Sequence, residues 1–278
     1  PPPAPHPVPV LVDVPSAALH VVAGERDDVV VTVLPSDPRR SGSVRAAEEV
    51  RVVRDGDAVS VTHPGSWKQY VLPLSTGTVD VTVELPAGCD LRGKVGSLHV
   101  EGALRSVRMT LSAGDARLED VEELDLKASA GSVQVARVAG DLELRVSAGS
   151  VRVGEVAGRG AIRATNGTTT VGSVTGTLQV HGAHADIEVG HVRGSVTARS
   201  AHSGIRVDRL RSGSVALTNS FGSIEVGVPV GTVAHLDVSS EHGSVRNHLT
   251  PTTGPVADEE TAEVHASTGY GDVVVRRP

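Results

Sequence analysis

Five basic residues recur at a fixed spacing of eighteen positions, and this pattern is the clearest candidate for chemistry in the chain. We call these residues the basic column: Lys127, Arg145, Arg163, His181 and Arg199. Because Leu142 and Leu144 alternate with Glu143 and Arg145, we expect the column to face outward from β-strands. Guanidinium groups at short, regular intervals would match the phosphates or carboxylates of an extended polyanion, such as an acidic glycan.

Two interpretations of the basic column stay open at this point. Like charges aligned across strands are mildly destabilising, by up to ~1 kcal/mol per pair, so the alignment needs an explanation. In the first interpretation the cations align by chance, and they splay into solvent or pair with Asp125 and Glu143. In the second they bind a polyanion, since the neighbours higher in the column, Ala161, Gln179 and Thr197, carry no charge that could neutralise them.

A second candidate is a corner position occupied by histidines. His184 and His202 are one repeat apart, and the same position continues to Phe221 and His242. Two imidazoles in adjacent layers could hold a transition metal. Stacked corner histidines are more often solvated or hydrogen-bonded to the turn, so we assign no metal ligand.

The only aromatic cluster contains Trp67 and Tyr70, in a chain whose aromatic content is 1 %. One interpretation is a plug that closes the end of the fold. The other is a contact patch, because Trp and Tyr are enriched at binding hot spots.

Catalytic motifs are absent from the sequence. It contains no G-x-S-x-G, P-loop, G-x-G-x-x-G, H-E-x-x-H or C-x-x-C pattern. The single cysteine, Cys89, lies in a turn-like stretch without an identifiable base and excludes an internal disulfide. We therefore predict no enzyme, no catalytic residue and no cofactor. A polysaccharide-acting enzyme is the rival class, but it would need long loops and aromatic rings for stacking on sugars.

The basic column belongs to a longer repeat. The phrase S-A-G-S-V-x-V occurs at 129–135 and again at 147–153. Each unit consists of a short strand, a corner, a second short strand and a second corner, so the units must stack to bury their apolar faces. We predict an all-β fold, a β-solenoid similar to a parallel β-helix, with two short strands in each turn of about 18 residues. One apolar position of the repeat comprises Val133, Val151, Ile187 and Ile205, with Thr169 in the gap.

The regions flanking the repeat suggest three parts. Residues 1–9 form a Pro-rich tail, and residues 10–92 are β-rich without a clean period, as in a cap with the first turns. Residues 93–278 carry the solenoid repeats, with a polar insertion at 250–262.

The charge and hydropathy of the chain limit its partners and its location. A net charge of −7 makes binding to nucleic acid unexpected. No run approaches the ~20 apolar residues of a membrane span, and no signal peptide is present. The expectation is therefore a cytoplasmic protein, with association with the cell envelope as the alternative.

Three stretches resemble a known bacterial family. They are VDVTVELPAG at 79–88, the repeated S-A-G-S-V-x-V, and STGYGDVVV at 267–275. They are similar to a family of domains of unknown function with β-strand repeats, catalogued as "putative adhesins". The resemblance implies a β-solenoid without established catalytic residues.

These observations favour a non-enzymatic binding or adhesion-type module whose ligand is unknown. The alternative is a structural or regulatory scaffold, for example one associated with envelope stress. The candidate partners are an acidic glycan or another polyanion, or a protein.

Overall fold

The computed structural model describes residues 8–63, 77–250 and 260–278. These residues are mostly strand, as expected for alternating valine-rich sequence, and the prediction of an all-β fold is confirmed. The contacts divide the chain into two compact units, 1–135 and 136–278.

The first unit begins with a long strand, β1 (Pro9–Gly24), in which buried and exposed residues alternate. The only helix among the described residues is α1 (Ser41–Glu49), and no described helix has the length and apolarity that crossing a membrane requires. The other strands of this unit are β2 (Val30–Pro35), β3 (Arg51–Asp55), β4 (Ala58–Thr62), β5 (Val79–Pro86), β6 (Asp90–Leu111) and β7 (Ala116–Val138), which carries the chain out of the unit.

The pairing in the first unit is mainly parallel. Strand β1 pairs in parallel with β4, β5 and β6, and β6 pairs in parallel with β7. Two antiparallel pairs, β2 with β5 and β3 with β4, add to these layers. Strand β6 runs from Asp90 to Leu111 without a break at residue 92, where the sequence suggested that the cap ends. A cap over residues 10–92 stays a prediction.

The second unit repeats one pattern of parallel pairing. Leu142 pairs with Gly160, and Leu178 pairs with both Gly160 and Val196, so each step joins residues eighteen apart. The strands are β8 (Leu142–Val156), β9 (Arg159–Val174), β10 (Thr177–Val192), β11 (Ser195–Ser200), β12 (Ile205–Leu210), β13 (Gly213–Phe221), β14 (Ile224–Gly227), β15 (Thr232–His242), β16 (Val245–Asn247), β17 (Glu260–Tyr270) and β18 (Val273–Arg276).

The Asn166-Gly167 corner requires glycine because successive backbones approach closely there. Gly167 has a φ of 125°, a region that residues with a Cβ rarely adopt. A Cβ at this position would lie 1.8 Å from the carbonyl oxygen of Gly149, one layer below. The Asn166-Gly167 corner therefore keeps the turns in contact, and the strands on either side stay in register.

The inward face of the repeat is mostly apolar, with a few buried polar residues such as Thr169, Ser200 and Asn219. Val151, Ile187 and Ile205 are at most 1 % exposed, as predicted for this position. Thr169 replaces a valine or isoleucine there, and it is fully buried. Its hydroxyl has no hydrogen-bond partner among the described residues.

Changing Thr169→Val is therefore expected to stabilise the protein. Burying an unpaired hydroxyl is unfavourable, and valine fills nearly the same volume, so we expect a gain of about 1 kcal/mol in the free energy of unfolding. Urea denaturation measures this difference. The control is Thr170→Val on the outward face, where a change within about 0.5 kcal/mol is expected. A Thr169→Val protein no more stable than wild type would contradict this description of the core.

The last layers of the second unit do not stack in sequence order. Strand β17 pairs with β13 on one side and with β15 on the other. Likewise β18 lies between β14 and β16. Stacking in sequence order would instead place the copy beginning at Val245 before the copy beginning at Val273. Strands β15 and β16 therefore form the outer layer although they come earlier in the chain. The later strands β17 and β18 lie beneath that layer.

The burial of the two layers agrees with this order. Val264 of β17 is fully buried, and Ala262 and Ala266 are at most 4 % exposed, as expected for a layer covered on both sides. The corresponding residues of β15, Leu236 and Val238, are only half-buried. The layer with one neighbour is thus the less buried of the two.

Candidate functional site

Four of the five residues of the basic column are direct neighbours in the second unit. Arg145 pairs in register with Arg163, Arg163 with His181, and His181 with Arg199. Lys127 belongs to the first unit, where its register partner is Thr110. The spacing of eighteen in the sequence therefore places the four residues from 145 to 199 side by side.

Buried neighbours hold this column in place. The residues that precede Arg145, Arg163 and Arg199 in the chain are Leu144, Ile162 and Ala198, all of them fully buried. Because side chains alternate along a strand, packing of these apolar groups turns the basic groups outward. Parallel strands fix the separation of successive layers at about 4.8 Å.

The electrostatics of the column differ from one end to the other. Arg145 forms an ion pair with Glu143 of its own strand. Arg163 and Arg199 are exposed, and within the described ranges neither has a carboxylate at ion-pair distance. Burial lowers the pKa of His181 below its ordinary value, and the positive charges of Arg199 and Arg163 lower it further. The segment from Arg163 to Arg199 is therefore a site of uncompensated positive charge.

The corner histidines form part of a stack of rings. The ring centroids of His184 and His202 are 4.7 Å apart at an interplanar angle of 6°, and Phe221 continues the stack. Tyr270 follows Phe221 and precedes His242, because β17 lies between β13 and β15. In parallel rings the nitrogen lone pairs point side by side and do not converge, so this geometry favours a packing role over a metal site.

A second cluster of histidines lies in the first unit. His20 and His99 are register partners on β1 and β6, and their rings are 5.0 Å apart and tilted by 43°. One oxygen of Glu101, Oε1, lies 3.0 Å from Nε2 of His20 and 3.1 Å from Nε2 of His99. Hydrogen bonds with His20 and then with His99 lower the pKa of the Glu101 carboxyl.

A family model described as Toastrack DUF4097 matches residues 11–276, nearly the whole chain. The chain belongs to the Toastrack DUF4097 family. This membership confirms the resemblance drawn from 79–88, from the repeated phrase and from 267–275. The Toastrack fold is β-solenoid-like, and the family is an adhesin-like family of unknown function, not an enzyme family.

Further comparisons add little to the family assignment of this Toastrack chain. A solved structure described as a "putative cell adhesion protein" from Clostridium sporogenes shares 10 % sequence identity with it. The match covers 97 % of this chain and 91 % of that one, with a TM-score of 0.26, too low for an argument about fold or function. A comparison with curated proteins gives no match.

Two other candidates from the sequence have different outcomes in the Toastrack structure. Trp67 and Tyr70 lie outside the described residues, so a contact patch there stays a prediction. Cys89 is 1 % exposed, and burial raises the pKa of its thiol. Both features agree with the interpretation of Cys89 as a buried structural residue.

Sequence reasoning missed the cluster of His20, His99 and Glu101 in this Toastrack chain. The two histidines are separated by seventy-nine positions, which is not a multiple of eighteen. A local signal was nevertheless present: Leu-His-Val occurs at 19–21 and again at 98–100, and the structure pairs these tripeptides residue by residue.

Proposed function

We propose that this Toastrack chain is a non-enzymatic β-solenoid module of adhesion type, with two short strands in each turn of about 18 residues. Its ligand in this proposal is an extended polyanion, which it binds along the basic column. The observation that carries the proposal is the direct succession of Arg163, His181 and Arg199, with no carboxylate of the described residues at ion-pair distance from either arginine.

Energetic considerations support a binding role for this segment. Like charges directly opposed across strands destabilise a sheet by up to about 1 kcal/mol per pair. Among the described residues, five of the ten other arginines of the second unit have an acidic partner, such as Arg137 with Glu155 and Arg206 with Asp208. Burial is the main cause of the lowered pKa of His181, and the positive charges of Arg199 and Arg163 lower it further.

The geometry of the column suits a linear polymer better than a single small anion. Three layer spacings separate Arg145 from Arg199, a span of about 14 Å. A polymer with anionic groups along its length can contact several guanidinium groups at once, each by charge-assisted hydrogen bonds. Arg145 already forms an ion pair with Glu143, so we expect the strongest contacts with the polymer at Arg163 and Arg199.

Changing Arg145, Arg163 and Arg199 together to Ser tests this proposal. We expect the wild-type protein to bind polyphosphate or heparin more weakly as salt rises, because exposed charge pairs are screened. The triple variant should elute from a heparin column at a clearly lower salt concentration. Its affinity for polyphosphate at low salt should fall by at least about tenfold, corresponding to a loss of about 1.4 kcal/mol.

A control variant with the same change in net charge distinguishes binding by the basic column from an effect of net charge alone. Changing Arg137, Arg152 and Arg206 to Ser removes three arginines that lie on other strand positions. This control should keep most of the wild-type retention. If all three proteins elute from heparin at the same salt concentration, the basic column binds no polyanion. A structural or regulatory scaffold then becomes the better hypothesis.

A further inference from the structure

We propose that His20, His99 and Glu101 form a binding site for a divalent transition-metal ion of the zinc class. The three side chains lie in adjacent layers of the first unit, and their donor atoms all lie within 4.8 Å of one another. This site shares no residue with the basic column, and the proposed polyanion contacts from Arg145 to Arg199 lie in the second unit.

The spacing of the donor atoms matches a tetrahedral metal site. Nε2 of His20 and Nε2 of His99 lie 3.0 and 3.1 Å from Oε1 of Glu101. With metal–ligand distances of about 2.0–2.1 Å, ligands of a tetrahedral zinc ion are about 3.3 Å apart. An ion can therefore enter between the three groups with only small movements of their side chains.

The orientation of the two rings also permits convergence on one ion. The rings of His20 and His99 are tilted by 43°, unlike those of His184 and His202, which are nearly parallel at 6°. The tilt allows two in-plane lone pairs to point toward a common centre. Binding requires both Nε2 atoms to be free of protons, so each neutral imidazole would carry its proton on Nδ1.

The backbone around the site is held firmly. His20 lies between Leu19 and Val21, and His99 lies between Leu98 and Val100; all four apolar residues are at most 2 % exposed. Sites on packed strands are positioned more precisely than sites on loops. Both histidine side chains are nevertheless 41 % exposed and Glu101 is 48 % exposed, so an ion can reach them from solvent.

The two histidines have one neutral and one positively charged register partner on the flanking strands. On β5, the register partner of His20 is Thr82, which is uncharged. On β7, the partner of His99 is Arg117, whose guanidinium donates to Gln134 at 3.4 Å. Two imidazoles and one carboxylate leave a fourth tetrahedral position for water or a ligand oxygen.

Calorimetric titration of the full chain with zinc chloride tests the proposal, and cobalt chloride provides a second readout in the visible spectrum. We expect wild-type protein to bind zinc at this site with micromolar affinity or tighter. His20→Asn and His99→Asn should each weaken binding at this site by at least about tenfold, and Glu101→Gln should also weaken it. Cobalt should give the intense absorption typical of tetrahedral coordination.

Two controls make the outcome decisive in a chain with 12 histidines. The double variant His184→Asn with His202→Asn should keep the wild-type affinity. Histidine ring NMR of the wild-type protein needs no variant, and zinc should shift the Nε2 resonances of His20 and His99. The proposal is overturned if wild type binds zinc only in the millimolar range, if zinc leaves both rings unshifted, or if the variant lacking both His20 and His99 binds as wild type does.

Discussion

Changing Val153→Asp is expected to lower the free energy of unfolding by at least about 3 kcal/mol, because it buries an unpaired carboxylate. Val153 is fully buried and pairs in register with Val171, which is also fully buried. No cation can reach the new side chain on the inward face, so the carboxyl must stay protonated or the layer must open.

Denaturation in urea and thermal unfolding measure the effect of Val153→Asp. The matched control is Thr170→Asp, which introduces the same charge on the outward face, beside Arg152. That control should unfold within about 0.5 kcal/mol of wild type. An unchanged melting temperature for Val153→Asp would show that this position does not face the core.

The same substitution, Val to Asp, is expected to have very different effects on stability at Val273 and at Val245, which lie in neighbouring layers. They occupy the same position of the repeat, and each pairs with the other in register. Val273 is fully buried between Ile224 and Val245, whereas Val245 is 43 % exposed in the outer layer. Val273→Asp should therefore cost at least about 3 kcal/mol, and Val245→Asp less than about 1 kcal/mol.

Hydrogen exchange locates the damage within the second unit. Since β15 and β16 pair only with β17 and β18 among the described strands, Val273→Asp should also remove the amide protection of residues 232–247. Val245→Asp should leave the protection of 260–276 intact. The opposite result, with Val245→Asp the more damaging change, would mean that the layers stack in sequence order.

The repeat predicted much of the second unit because its period reports stacking directly. A residue that faces inward in one layer must lie above the residue that faces inward in the next, so Val151 and Ile205 are buried as expected. The same argument placed Arg145, Arg163, His181 and Arg199 side by side. Thr169 is also buried as the repeat predicts. Its neighbours at the same repeat position, Val151 and Ile187, point inward, and the shared register turns Thr169 the same way despite its polarity.

The order of the final layers could not be read in this way. Equivalent positions in different copies, such as Val245 and Val273, show which residues align but not which copy lies between which others. The order shows in the burial of the two layers: Ala262, Val264 and Ala266 of β17 are buried, whereas Ala234, Leu236 and Val238 of β15 are only half-buried. Sequence proximity favours the wrong order here.

The cluster of His20, His99 and Glu101 escaped prediction for a related reason. Strand β1 pairs with β6 across eighty-one positions up to Val14 and across seventy-nine from Ala18, and it also pairs with β5, so its neighbours follow no fixed period. The repeated Leu-His-Val tripeptide was too short to be separated from chance in a valine-rich chain. The pairing of β1 with β6 shows that the two tripeptides are direct neighbours in space.

Arginine side-chain NMR during a titration with polyphosphate is the most direct test of the basic column as a binding surface. The Nε–Hε resonances of Arg145, Arg163 and Arg199 should shift in a saturable manner, with the largest changes at Arg163 and Arg199. Those of Arg137, Arg152 and Arg206 should move little. If no arginine resonance shifts, or if all six shift to the same extent, polyphosphate does not bind specifically along the basic column and the proposed function is wrong.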